Sequence, residues 1–362
     1  MRRHFIVFML VLGILLTGGC SNRDVQTDSE GTKAIQAESE SQIQSESHTQ
    51  DESQLQSEGS VREETQKQES EPVITEINHY VIKADDRACM NEEMLSCFRK
   101  AVDAVFARKE EVRLTDSWDN NLIIMGALQN SPYSFVLDDF DLTDDHKSMY
   151  FEYGYSAEEQ QEMYTYMDNE YLSILNEIIS KDMGELEKVL AVYHYFASRI
   201  SYNYSWLEGF DLSDEKYLYP DIEIYEALKT NQGVCHSYSY LCEFALQQLG
   251  VECLPVTGVM TDSDEGHMWL IVRIDGKYYH CDPTWDSGGE QVSLRYFGMT
   301  DDECRARGVD GFEISYDNMY GEIICDDSRF SKWRDVYDYH LNGDHTITLY
   351  RDSAEPETEI LQ

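Results

Sequence analysis

The stretch HMWLIVRIDGKYYHCDPTWD, His267 to Asp286, constrains this chain more than any other. Two alternating runs flank Asp275 and Gly276, and an Asp-Gly pair in that setting specifies a two-residue β-hairpin turn. Such a turn sets the register. Ile274 pairs with Lys277, every later pair follows, and Trp269 comes to lie opposite Asp282. His267 is two residues along on the face of Trp269. It is therefore the diagonal neighbour of Asp282, with Cβ atoms within roughly 7 to 8 Å. The other face carries Met268, Leu270, Val272 and Ile274, an apolar row suited to a core. His267 and Asp282 are thus expected to project from the opposite side of the sheet, where a helix docks.

The candidate for that helix is LKTNQGVCHSYSYLCEFALQQLG, Leu228 to Gly250. Tyr238, Leu241, Cys242, Ala245 and Leu249 share one side, and Gly250 suits the C-terminal cap. Cys235 stands where the periodicity begins. A cysteine at a helix N-terminus feels the positive end of the helix dipole and unpaired backbone N–H groups, both of which favour thiolate. His267 then acts as the base and Asp282 fixes its tautomer, while the backbone N–H of Cys235 serves an oxyanion. His236 follows Cys235 at about 100° around the helix and is not assigned the base. His280 shares the face of Asp282 and is the rival base, or else a packed strand histidine. Trp269 is either a substrate wall or packing. A metal set of Cys235, Cys242, His267 and His280 would have no characteristic spacing, and no CxxC pair occurs, so no metal and no cofactor are expected.

The rest of the chain divides by composition. Residues 1–20, MRRHFIVFMLVLGILLTGGC, have the basic start and short apolar run of a secretory leader. The LTGGC ending resembles a bacterial lipobox, with Cys20 as the lipidated residue and Thr17 in a place where an aliphatic residue is usual. Residues 21–75 are rich in Ser, Glu and Gln with almost nothing to bury, which predicts a disordered acidic tether. Residues 76–183 read as a mixed α/β segment with no evident chemistry, 184–350 as the site-bearing domain with a C-terminal extension, and 351–362 as a loose acidic tail. A formal charge of −42 excludes nucleic acid as a partner, because the phosphates would be repelled. Nine cysteines are present, and the eight other than Cys20 form an even number compatible with disulfides.

GVCHSYSYLCEFALQQLGVECLPVTG and GHMWLIVRIDGKYYHCDPTWD together resemble the transglutaminase-like superfamily, with its Cys, His and Asp in that order and its G-V-C, G-H-x-W and D-P-T-W-D patterns. The resemblance runs from about Glu185 to Asp286 and includes ISYNYSW. It implies an α+β, papain-like core with the nucleophile on a helix packed on an antiparallel sheet, here with an N-terminal mixed α/β extension. It also implies Cys235 as nucleophile, His267 as base and Asp282 as orienter. Family members often place an upstream aromatic or amide side chain in the oxyanion hole, for which Trp206 and Tyr202 are the candidates. The function expected is that of a lipid-anchored enzyme on the extracellular face of a bacterial membrane. Its substrate would be a protein or peptide, cell-wall peptide included, attacked at an amide through a Cys thioester. Hydrolysis is favoured over amine crosslinking, and a non-catalytic binding module on the same fold is the remaining alternative.

Overall fold

The computed structural model describes residues 72–205, 220–261, 266–313, 323–352 and 354–361. The leader, Cys20 and the expected tether up to Glu71 lie outside the described residues, as does Trp206. The last residues of that 21–75 stretch are not loose as expected, since Val73 and Ile74 pack on the core and donate their N–H groups to Asn176 Oδ1 at 2.7 and 3.1 Å. No helix among the described residues is long and apolar enough to cross a membrane. Residues 71–362 form one compact unit.

The chain opens with helices α1 (Ala84–Cys89) and α2 (Glu92–Phe106). Asn91 separates them, its side chain accepting the Met94 N–H at 3.0 Å and so capping α2. Strand β1 (Glu111–Arg113), helix α3 (Trp118–Gln129) and strands β2 (Leu137–Leu142) and β3 (Ser148–Tyr153) come next, with sheet order β1-β3-β2. Helix α4 (Ala157–Ile178) starts at a reciprocal cap between Ser156 and Glu159. Its inner face carries Tyr164, Met167, Tyr171, Ile174 and Leu175. Helix α5 (Glu185–Arg199) buries Leu186, Val189, Leu190, Tyr193 and Ala197, and Phe196 with them.

After the short strand β4 (Ser201–Tyr202) come α6 (Pro220–Thr230), β5 (Gln232–Gly233) and α7 (Cys235–Gln248). Sequence periodicity gives α7 one apolar side, yet nearly every residue from Cys235 to Leu246 is buried, His236 being half-exposed. The reason is that α7 is central. Helices α5 and α6 pack against it, and the N-terminal segment reaches it through Tyr171 and Tyr133, whose rings lie 4.7 and 5.8 Å from Phe244. Burying an aromatic of that size contributes about 1.5–3 kcal/mol. Residues 76–183 therefore wall the back of the helix that begins at Cys235, and they share one core with the site-bearing domain.

Strands β6 (Cys253–Met260), β7 (Gly266–Ile274) and β8 (Lys277–Cys281) are antiparallel neighbours. The hairpin has the predicted register, with Ile274 opposite Lys277 and Leu270 opposite Cys281. Asp275 and Gly276 have φ of 50° and 81°, the positive pair that a type I′ turn requires. The expected docking face is overturned. Helix α7 docks on the face of Met268, Leu270, Val272 and Ile274, not on that of His267. Cys253, the ladder partner of Val272, places its Sγ 3.7 Å from the Glu243 carbonyl of α7. The apolar row is the core-forming face, and the helix is what it covers.

The second face of the sheet, with Leu254, Val256, Trp269 and Ile271, is covered by Met299, Cys304 and Cys325. The small pair β9 (Ser287–Gly288) and β10 (Gln291–Val292) precedes helix α8 (Asp301–Ala306) and the edge strand β11 (Val309–Glu313). The chain ends in the sheet β12 (Val336–Leu341), β13 (Thr346–Arg351) and β14 (Glu357–Ile360), so the acidic stretch 351–362, expected to run loose, supplies a strand. Basic neighbours offset its charge, Arg351 with Glu357 and Lys332 with Glu359. The eight described cysteines are all free, and seven of them are buried.

Candidate active site

The site is built from the start of α7. Val234 is extended and caps the helix, and Cys235 is its first residue. A Cβ on Gly233 would lie 2.4 Å from both Cβ and Oγ of Ser237, so only glycine admits the close approach. That approach lets Ser237 Oγ accept the Val234 N–H at 3.2 Å, which fixes the helix start. The turn is also tied to β4. Ser201 N–H donates to Asn231 O and Asn203 N–H to Gly233 O, each at 2.9 Å. A first-turn N–H has no intrahelical acceptor, which suits that of Cys235 to a developing oxyanion.

His267 is the second residue of β7, and its Nε2 lies 2.6 Å from Asp282 Oδ2. The other carboxylate oxygen, Oδ1, accepts the N–H groups of Thr284 and Trp285 at 3.0 and 3.2 Å, so the Asp-Pro-Thr-Trp turn holds the carboxylate in place. The imidazole is flanked by two indoles. Trp285 stacks at 4.5 Å and 7° and Trp269 lies at 5.9 Å and 16°. With Nε2 engaged, Nδ1 is the atom left for the thiol. Cys235 Sγ lies 3.8 Å from His236 Nδ1, and both His236 and His267 favour its ionised form.

Burial is the largest single influence on each partner and opposes ionisation. The imidazoles outweigh it at Cys235, whose thiol is pushed down to about 5, and Asp282 with the thiol outweighs it at His267, pushed up to about 10. Between those values the pair is thiolate and imidazolium. Burial pushes Cys97, Cys242, Cys253, Cys281, Cys304 and Cys325 upward instead.

Cys235, His267 and Asp282 are thus brought together; other candidates fall elsewhere. His280, the rival base, accepts the Trp269 Nε1–H at Nδ1 (2.9 Å) and faces Asp301 with Nε2 (2.8 Å). Trp269 is 1% exposed, so it packs beneath His267 and forms no substrate wall. Tyr202 lies opposite Gly233 in the β4–β5 pair, two residues before the nucleophile candidate, and is half-buried. His236, set aside on angular grounds, has its Nδ1 3.8 Å from Cys235 Sγ, because a ring on a flexible Cβ–Cγ bond spans an angle that separates the Cβ atoms.

One potential ligand trio exists among the described residues, His280, Asp301 and Cys325, with donor atoms within 4.8 Å of one another. An indole only donates, so His280 Nδ1 must accept and Nε2 must carry the proton that Asp301 receives. That proton occupies the lone-pair position a metal would need, and the trio is a hydrogen-bond network. Two supporting residues were not singled out from the sequence, although D-P-T-W-D contains both. Trp285 is the stacking partner, and Asp286 is a buried hub. Asp286 accepts from Tyr193 Oη at 2.6 Å, from Ser293 Oγ and from the Tyr296 N–H, joining α5 to the turn that holds Asp282. Burial, against those hydrogen bonds, raises its carboxyl to about 7.

Residues 173–283 match the model of the Transglutaminase-like superfamily. The kyphoscoliosis peptidase of Mus musculus is 29% identical over 128 residues, and that of Homo sapiens 24% identical over 125. Each match covers 32% of this chain and 18% of the relative, so the chain spans less than a fifth of the length of these curated proteins. A solved structure of a TGase is 18% identical, with 41% of this chain and 44% of that one covered at a TM-score of 0.25. Over residues 173–283 the fold is transglutaminase-like, with helices against an antiparallel sheet, as the motifs implied.

Proposed function

We propose that this chain is a thiol enzyme that cleaves peptide or isopeptide amide bonds through a Cys235 thioester, with water as the preferred acceptor. The observation that carries the reading is a thiol at a helix N-terminus whose ionised form is favoured by an imidazole that a carboxylate clamps at 2.6 Å. The thiolate attacks the amide carbonyl, the S–C bond forms, and the carbonyl electrons move onto oxygen beside the first N–H groups of α7. Collapse breaks the C–N bond, and the leaving amine takes the Nδ1 proton of His267. Water then attacks the thioester and gives a proton back to His267, and the C–S bond breaks to restore the thiolate.

An amine in place of water yields a transglutaminase from the same intermediate. Incubating the protein with peptide libraries, with and without a labelled primary amine, separates the two by mass. Hydrolytic products are expected to exceed amine adducts. Adducts in excess would reverse the preference, and no product from a protein with a reactive thiol would support a binding module.

The leader and tether support a location on the outer face of a bacterial membrane through lipid on Cys20, with the acidic tether giving reach toward cell-wall or secreted peptides. Cys20→Ser is expected to move the protein from the detergent phase to the aqueous phase, or to block its processing. Unchanged partitioning would sink the lipid anchor.

A further inference from the structure

We propose that His236 is a second positioning residue for the sulfur of Cys235, an imidazole that holds the thiolate from the helix side while His267 holds it from the sheet side. The inference rests on the reading of Cys235 as the nucleophile and adds a group to which neither the motifs nor the family match gives a role.

His267 has limited capacity. It is 8% exposed, Asp282 occupies its Nε2, and two indoles cover its faces, so it offers the sulfur only Nδ1. Cys235 is itself 6% exposed, and removing a thiolate from water is costly. One donor replaces little of the hydration that burial takes away. The second contact is His236 Nδ1 at 3.8 Å, within reach of sulfur as a donor when that nitrogen carries the ring proton. His236 and His267 both favour the thiolate against burial, and the contact of His236 with the sulfur is direct. Among the described residues, those two imidazoles favour the thiolate, with Asp282 acting behind His267. Tyr204, just beyond β4, bears on Tyr238 instead.

The division of labour follows from the movement of protons. His267 must surrender its proton to the leaving amine and regain one from water, so its hold on the sulfur is intermittent. His236 gives up no proton in the cycle. It keeps a donor on the sulfur when the second tetrahedral intermediate expels the thiolate, the point at which a better-stabilised sulfur leaves faster.

The test is the pH dependence of iodoacetamide alkylation at Cys235, followed by peptide mapping in the full chain and needing no substrate. It compares the native protein with His236→Phe, His236→Gln and His267→Ala. His236→Phe keeps a ring without a donor, and it is expected to raise the thiolate midpoint by about one pH unit or more. His236→Gln keeps a donor without a charge and should fall between. Thermal melts establish that each variant is folded, and the glutamine variant carries the test if the phenylalanine one is not.

Midpoints unchanged by both His236 variants, with His267→Ala raising the midpoint, would overturn the role of His236 and leave the nucleophile intact. A midpoint that none of the three variants moves, or faster labelling of another cysteine, would overturn both readings.

Discussion

Cys235→Ala is expected to lower amide turnover by on the order of 10⁴-fold or more, leaving only what substrate binding and the backbone N–H groups supply. Burial raises every other described cysteine for which a shift is resolved, and Cys242, the next cysteine along α7, lies two turns deeper in the core. The substitution removes one sulfur at a helix N-terminus, with no large cavity, so the fold should persist. Far-UV circular dichroism and the melting temperature establish that, and the rate on the best library peptide gives the effect. Turnover within tenfold of the native rate in a folded Cys235→Ala protein would remove Cys235 as the nucleophile.

Asp282→Asn should have the next largest effect, a fall of roughly 10²- to 10⁴-fold, because it reverses a hydrogen bond as well as removing a charge. Oδ1 of Asp282 is occupied by two backbone N–H groups, which keeps the asparagine carbonyl oxygen in that place. The amide nitrogen then takes the place of Oδ2 and offers its own N–H to His267 Nε2, which can no longer donate. The imidazolium loses its counter-charge, and the thiolate loses the imidazolium.

The pH profile shows the same change in another way. In the native protein, kcat/KM should rise through about 5 as the thiol ionises and fall through about 10 as His267 loses its proton. Asp282→Asn moves the alkaline limb down, since the charged imidazole is no longer favoured. It moves the acid limb up, since the thiolate has a weaker partner. A variant with the native rate and both limbs unmoved would show that Asp282 does not orient His267.

The hairpin could be read from the sequence because its information is local. Asp275 and Gly276 are the residue types that tolerate positive φ, and once two residues make the turn, every pair from Ile274–Lys277 to Leu270–Cys281 follows. From that came the proximity of His267 and Asp282. The placing of Cys235 at a helix start was local too, with an Asn-Gln-Gly turn before it and an apolar stripe after. Those two signals, joined by the family resemblance, name the three residues without any knowledge of packing.

Packing decided the remainder. Which face of the sheet α7 covers depends on which side chains it finds there, and the row Met268, Leu270, Val272 and Ile274 attracts it more strongly than a face carrying His267. Trp269 is closed off by Met299 and Cys304 from a later part of the chain, and no residue near Trp269 announces that. Residues 76–183 show no chemistry in sequence because their contribution is Tyr133 and Tyr171 against Phe244, contacts across 111 and 73 positions. The stretch 351–362 reads as a charged tail until Arg351 and Lys332 are brought beside Glu357 and Glu359.

The sequence by itself determined the hairpin, the helix start at Cys235 and the nearness of His267 to Asp282, since each follows from backbone preference or a short motif. The tertiary structure alone decided that His236 shares the thiol, that Trp285 and Trp269 enclose His267, and that Asp286 anchors the turn behind Asp282. Each of those depends on side-chain positions set by packing, which no local pattern encodes.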